Sequence, residues 1–154
     1  MEDFSNYKMP SMFVAFPYCT WKCDKECGLQ VCQNSALANS PNMDVDVDVV
    51  VKKYLDNPIT RAVVCGGLEP FDSWLDLLQF VTKLREQTKD DIVVYTGYNM
   101  AEIADKIDVL KEYDNIIVKF GRYKPRQESR YDDVLGVFLA SDNQYAEVIS
   151  NRGN

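Results

Sequence analysis

The chain has 154 residues, 46% of them hydrophobic, a formal net charge of -7, five cysteines and no histidine. Residues 1–154 are expected to form a single domain with one core, well short of the roughly 250 residues of a complete eight-fold β/α barrel. The acidic balance without a basic run argues against a nucleic-acid partner and a polybasic membrane contact, and the missing imidazole excludes HExxH zincins, Cys/His zinc fingers and Ser-His-Asp or Cys-His nucleophile systems.

The opening stretch MEDFSNYKMP lacks the charged region and apolar run of a secretory leader, and no stretch is long and apolar enough to span a bilayer, so a cytoplasmic protein is expected. The first strand is predicted at MFVAF (12–16), where β-branched and aromatic residues collect. A loop-like stretch, YCTWKCDKECGLQVCQN (18–34), then holds four of the five cysteines. The run MDVDVDVVVKKYL (43–55) alternates like an exposed strand, yet Val45, Val49 and Lys53 fit a helical i, i+4 series. A helix is favoured because it supplies the crossover between two parallel strands.

RAVVC (61–65) is the second strand, and SWLDLLQFVTKLREQ (73–87) the next helix, with Trp74, Leu77, Leu78, Val81 and Leu84 on one face and Ser73 as its N-cap. DIVVY (91–95) is the third strand, MAEIADKIDVLKEY (100–113) a helix facing inward through Ile103, Ile107 and Leu110 with Asn99 as its cap, and NIIVKF (115–120) the fourth strand. GRYKPRQESRYDD (121–133) reads as one long loop, and LGVFLA with YAEVI as terminal strands. Such alternation predicts an α/β fold with a parallel sheet, whose ligands gather at the strands' carboxyl ends. The cysteine loop, GGLEP, TGYN and FGRY follow the four strands in turn, on that one edge.

In a reducing compartment, clustered cysteines point to a metal site or a redox device rather than to disulfides. Two ligand spacings are available: an even C-x3-C-x3-C over Cys19, Cys23 and Cys27, or Cys19 and Cys23 with Cys32. The second is favoured, because Cys32 follows an apolar residue and precedes Gln33 and Asn34 at an apparent helix start, whereas Cys27 sits in a charged turn. All four thiolates could instead hold structural zinc. Cys65, ending an apolar strand, reads as a small buried hydrophobe. GGLEP by itself also reads as a plain turn placing an acid at a helix N-terminus.

Taken together, Cys19, Cys23 and the CQN around Cys32, GGLEP, YTGY and the late SDNQ (141–144) resemble the radical S-adenosylmethionine superfamily, specifically the small activating proteins of anaerobic ribonucleotide reductases, over nearly the whole chain. This sequence differs in four places: residues are inserted before Cys32, Leu68 interrupts the GGEP pattern, Lys119 and Phe120 replace an acidic residue, and Tyr145 replaces an arginine. The resemblance implies an incomplete (partial) β/α barrel with a curved, mostly parallel five- to six-stranded sheet. It implies a [4Fe-4S] cluster on Cys19, Cys23 and Cys32, with one iron open to chelate S-adenosyl-L-methionine. It further implies cofactor contacts from Gly66, Gly67, Glu69, Pro70, Thr96, Gly97, Asn143 and Gln144. No catalytic side chain is assigned beyond the cluster ligands.

The implied activity is reductive cleavage of S-adenosylmethionine by a radical SAM oxidoreductase. The implied partners are an anaerobic ribonucleotide reductase or another glycyl-radical protein, and an external electron donor such as flavodoxin or ferredoxin. A non-catalytic iron-sulfur or zinc module is the competing expectation, as is a radical enzyme with another substrate. Arg122, Lys124 and Arg126 are candidates for recognising the methionine carboxylate or an acidic partner. Phe16, Tyr18 and Trp21 are candidates for roofing the core and shielding the cluster from water.

Overall fold

The computed structural model describes residues 2–16, 46–122, 124, 128–141 and 143–150. A six-stranded sheet runs in the order β1 (Glu2–Asp3), β2 (Ser11–Phe16), β3 (Ala62–Gly67), β4 (Asp91–Tyr95), β5 (Ile116–Phe120), β8 (Tyr145–Val148). The three central pairings, β2 to β5, are parallel, and the outer pairings of β1 and β8 are antiparallel. Strands β1 and β8 lie at opposite edges, so the sheet is open rather than closed.

Each parallel connection carries a helix: α1 (Val47–Asp56), α2 (Trp74–Gln87) and α3 (Ala104–Leu110). Alternation of side chains along the strands divides the core into two. On one face Val63, Cys65, Ile92, Val94, Ile116 and Val118 pack with the apolar sides of all three helices. On the other, Val64, Val93 and Ile117 pack with Tyr7, Leu135 and Leu139. The amino-terminal segment is fastened over this second face where Tyr7 Oη donates to Asp91 at 2.7 Å and Tyr95 Oη donates to the Asn6 carbonyl at 2.6 Å.

The four predicted strands form, because continuous apolar runs suit parallel strands buried on both faces. Several details differ from expectation. Helix α1 exists, but its inward residues are Val51 and Tyr54, with Val47 and Val50 half-buried beside them, while Val49 is 57% exposed. Burying Tyr54 places its hydroxyl 2.6 Å from Asp90, a contact that the Val45–Val49–Lys53 face would not make. Val45 lies outside the described residues.

Ser73 makes no side-chain cap, because a 3-10 turn, Pro70–Ser73, runs straight into α2 and its first free amide, Phe71 N, donates to Glu69 at 3.2 Å. A 3-10 turn, Met100–Ile103, likewise precedes α3, where Glu102 accepts from Asn99 N at 2.9 Å. The end of the predicted long loop is structured: β6 (Arg130–Asp132) pairs antiparallel with β7 (Val137–Leu139) around Gly136, whose φ is 72°. Asp132 holds this hairpin against β8, accepting from Leu135 N at 3.0 Å and Ala146 N at 2.9 Å. No helix among the described residues is long and apolar enough to cross a membrane.

Candidate functional site

Strand β3 ends in two glycines with separate reasons to be glycine. A Cβ on Gly66 would lie 3.1 Å from the Phe13 ring, and Gly67 turns the chain through a φ of 82°, where a side chain is strained. Leu68 N then bonds the Phe16 carbonyl at 3.3 Å, joining the ends of β2 and β3. This delivers Glu69 beneath the neighbouring loop with 6% of its surface exposed.

Both Glu69 oxygens are used. Oε2 accepts from Phe71 N at 3.2 Å and from Thr96 Oγ1 at 2.8 Å, and Oε1 accepts from Gly97 N at 2.8 Å. Thr96 Oγ1 in turn accepts from Tyr98 N at 3.0 Å. Burial raises the Glu69 carboxyl to about 7, the nearby Asp72 adding to the shift and the three hydrogen bonds opposing it. The carboxyl is thereby poised near neutrality in a chain without histidine. Pro70 is buried at the first position of the 3-10 turn, where its missing N–H costs nothing.

The next loop is tied on at both sides. Tyr98 Oη donates to Asp72 at 2.5 Å, and the Tyr98 carbonyl accepts from Gly121 N at 3.1 Å. Arg122, with 10% of its side chain exposed, pairs with Glu102 at 2.8 Å, and its guanidinium lies 5.9 Å from the centre of the Tyr98 ring. A Cβ on Gly97 would lie 3.5 Å from Arg122 Cγ and 3.6 Å from Glu69 Oε1, so this glycine is packed between the two.

The segment leading into β8 closes over the end of β5. Asn143 Nδ2 donates to the Arg122 carbonyl at 2.9 Å and Gln144 Nε2 to the Gly121 carbonyl at 3.3 Å, while Gln144 Oε1 accepts from Ser141 N at 3.1 Å. Asn143 Oδ1 and Asp72 Oδ2 are buried atoms without a hydrogen bond among the described residues. Lys119, buried on β5, has its Nζ 5.2 Å from the centre of the Tyr95 ring and 3.4 Å from the Gly121 carbonyl.

Gly66, Gly67, Glu69, Pro70, Thr96, Gly97, Asn143 and Gln144 thus occupy the ends of adjacent strands and the segment over them, linked through Glu69, Tyr98 and Arg122. Glu69 fills the helix-start role of the plain-turn reading and bonds two further groups besides. Arg122 is engaged by Glu102 of its own chain, and Lys124 is exposed. Cys65 is fully buried in β3, where desolvation pushes its thiol up, consistent with packing. Phe16 packs in the helix-side core.

Cys19, Cys23, Cys27, Cys32, Tyr18, Trp21 and Arg126 lie outside the described residues. The ties Asp72–Tyr98 and Glu102–Arg122 were missed by sequence reasoning. Glu102 carries a local signal, three residues after the cap Asn99, but nothing local announces its arginine.

Over residues 11–145 the chain matches the family model described as a 4Fe-4S single cluster domain. No curated protein and no solved structure matches it.

Proposed function

The chain belongs to the 4Fe-4S single cluster domain family, and from that premise we propose that it is a radical S-adenosylmethionine protein that activates a glycyl-radical enzyme. The observation that carries this reading is the reach of the family match. It takes in all the clustered cysteines and the strand-end loops bonded to one another through Glu69. The donor chemistry fits a cluster: four thiols within residues 19–32, no histidine, and soft sulfur ligands of the kind iron-sulfur centres use.

Cys19, Cys23 and Cys32 would hold the cluster. When bound and reduced, it supplies the electron that splits the sulfonium of S-adenosylmethionine into methionine and a 5'-deoxyadenosyl radical. The chain's own part is to bind and orient the cofactor. Gly66 and Gly67 allow close backbone approach, and Thr96 and Gly97 are held at a fixed height by Glu69. Asn143 Oδ1 and Asp72 Oδ2, acceptors without a partner among the described residues, suit a ligand that brings hydroxyl and ammonium donors, as S-adenosylmethionine does. The open sheet, in keeping with a partial barrel, leaves a protein substrate to complete the enclosure that keeps solvent from the radical. The acceptor is a glycine of an anaerobic ribonucleotide reductase or another glycyl-radical protein, and the electron comes from a flavodoxin- or ferredoxin-like donor.

Anaerobic reconstitution followed by iron and sulfide analysis tests the cluster. Release of methionine and 5'-deoxyadenosine on reduction tests the cleavage, and a glycyl signal in electron paramagnetic resonance with the reductase tests the acceptor. A second reading, a non-catalytic iron-sulfur carrier, is favoured by one observation: Glu69 and the Thr96 hydroxyl are spent on bonds within the chain. A reconstituted cluster without 5'-deoxyadenosine release selects it.

A further inference from the structure

We propose that Glu69 is a positioning residue, a buried carboxylate staple that fixes the loop after β4 to the loop after β3 and so sets where Thr96 and Gly97 meet a ligand. The role rests on the reading that the cofactor lies at these loops, whereas the staple itself rests on geometry. Its donors come from both loops: Phe71 N on its own turn, and Thr96 Oγ1 and Gly97 N from 27 and 28 residues away. A carboxylate has the acceptor sites for all three, and glutamate has the reach. With the group 6% exposed, water does not stand in for the lost acceptor, so removing it strands three buried or half-buried donors.

The staple is also proton-linked. Among the described residues the charged groups that face it are Asp72 on its own turn and, across Gly97, Arg122 from the loop after β5, itself paired with Glu102. Tyr98 lies beyond Thr96, held by Asp72. The folded carboxyl is raised from 4.5 to about 7 by burial. An opening that brings Glu69 into water returns it toward its ordinary value, so linkage holds the loop pair tightest below about pH 4.5, loosens it as pH rises to about 7, and adds no further change above that. Thr96 is suited to both states, because its hydroxyl can donate to the carboxylate or accept from the protonated acid.

The test uses the full chain, reconstituted anaerobically, as wild type, Glu69→Ala, Glu69→Gln and Thr96→Val. Amide hydrogen exchange at Gly97 and Tyr98 is measured without ligand from about pH 5 to about pH 8.5, corrected for intrinsic rates, and S-adenosylmethionine affinity is measured by calorimetry. Glu69→Ala should lower protection at these two amides and weaken the ligand, each by about tenfold, while Val93 and Val94 keep their protection. Glu69→Gln, which retains an acceptor and carries no charge, should restore most of the protection and abolish its pH dependence. Thr96→Val should fall between them, which keeps the question decidable if Glu69→Ala fails to fold. Unchanged protection at Gly97 and Tyr98 in Glu69→Ala, or in Thr96→Val if only that variant folds, overturns the staple. A wild-type profile flat across pH, or as steep in Glu69→Gln, overturns the proton linkage. If the wild type shows the exchange pattern yet binds no S-adenosylmethionine, the staple stands and the cofactor reading fails.

Discussion

Tyr98 and Asp72 join the loops after β4 and β3 through a phenol-to-carboxylate hydrogen bond of 2.5 Å, the second tie between loops that Glu69 already connects. Tyr98→Phe keeps the ring under Arg122 and removes only the hydroxyl. Asp72, whose Oδ2 has no partner among the described residues, then loses its Oδ1 donor as well. The expected cost is about 1–3 kcal/mol in urea unfolding, the usual range for stranding one hydrogen-bonding group, Asp72 being half-buried. Replacing Asp72 by Asn in the Phe variant should recover part of it.

The raised carboxyl of Glu69 gives a stability difference with a defined sign. Its folded value, about 7, exceeds its ordinary value of 4.5, so the folded state binds the proton more tightly than the unfolded state. The stabilising contribution is complete below about pH 4.5 and is lost as pH rises through about 7. Relative to Glu69→Gln, the wild type should therefore become progressively less stable across that window and level off above it. Urea midpoints of both proteins along a pH series check this, and a wild-type curve parallel to that of Glu69→Gln would contradict the assignment.

Cys19→Ala, Cys23→Ala and Cys32→Ala should each abolish the four-iron absorbance and lower bound iron to background after reconstitution, since each removes one of three anchors. Cys27→Ala should retain most of the cluster and Cys65→Ala nearly all of it, the latter being sealed in β3. Loss in Cys27→Ala with retention in Cys32→Ala would exchange the two assignments.

Asp132→Ala removes the acceptor of two buried amides, Leu135 N and Ala146 N. It should cost about 2–6 kcal/mol, two stranded donors at about 1–3 kcal/mol each. Exchange should quicken through the β6–β7 hairpin and at Ala146, leaving β3 and β4 unaffected, which amide mass spectrometry on peptides from each region resolves.

What could be read in advance follows the range of the interaction. Ala62–Gly67 and Ile116–Phe120 declare themselves as buried strands because an unbroken apolar run has few other stable uses in a short element. The face of α1 does not, since Val45, Val49 and Lys53 satisfy the helical period as well as Val47, Val51 and Tyr54 do. Burial of Tyr54 against the start of β4, with its hydroxyl on Asp90, decides between them. Ser73 is a sound cap by residue type and loses the role because the preceding 3-10 turn starts the helix at Glu69. The hairpin's first strand is hidden in a charged stretch because a side-chain carboxylate, Asp132, holds it to β8.

The candidate site divides in the same way. Glycine loops and clustered thiols are legible as chemistry, because few residue types perform those tasks. The partners of Glu69 are not, because Thr96 and Gly97 become its neighbours only when β3 and β4 lie side by side. Arg122 reads as a candidate for an external carboxylate, whereas folding brings Glu102 against it.

The sealing of Cys65 also furnishes a clock. Its thiol has no exposed surface and burial holds it protonated, so an alkylating reagent meets it only after the middle of the sheet has parted. Under conditions where reclosing outruns alkylation, the rate at this one position, divided by that of the unfolded chain, is the fraction of molecules with β3 open. A single native cysteine thus reports the share of time for which the centre of the fold stands open, without any label being engineered into it.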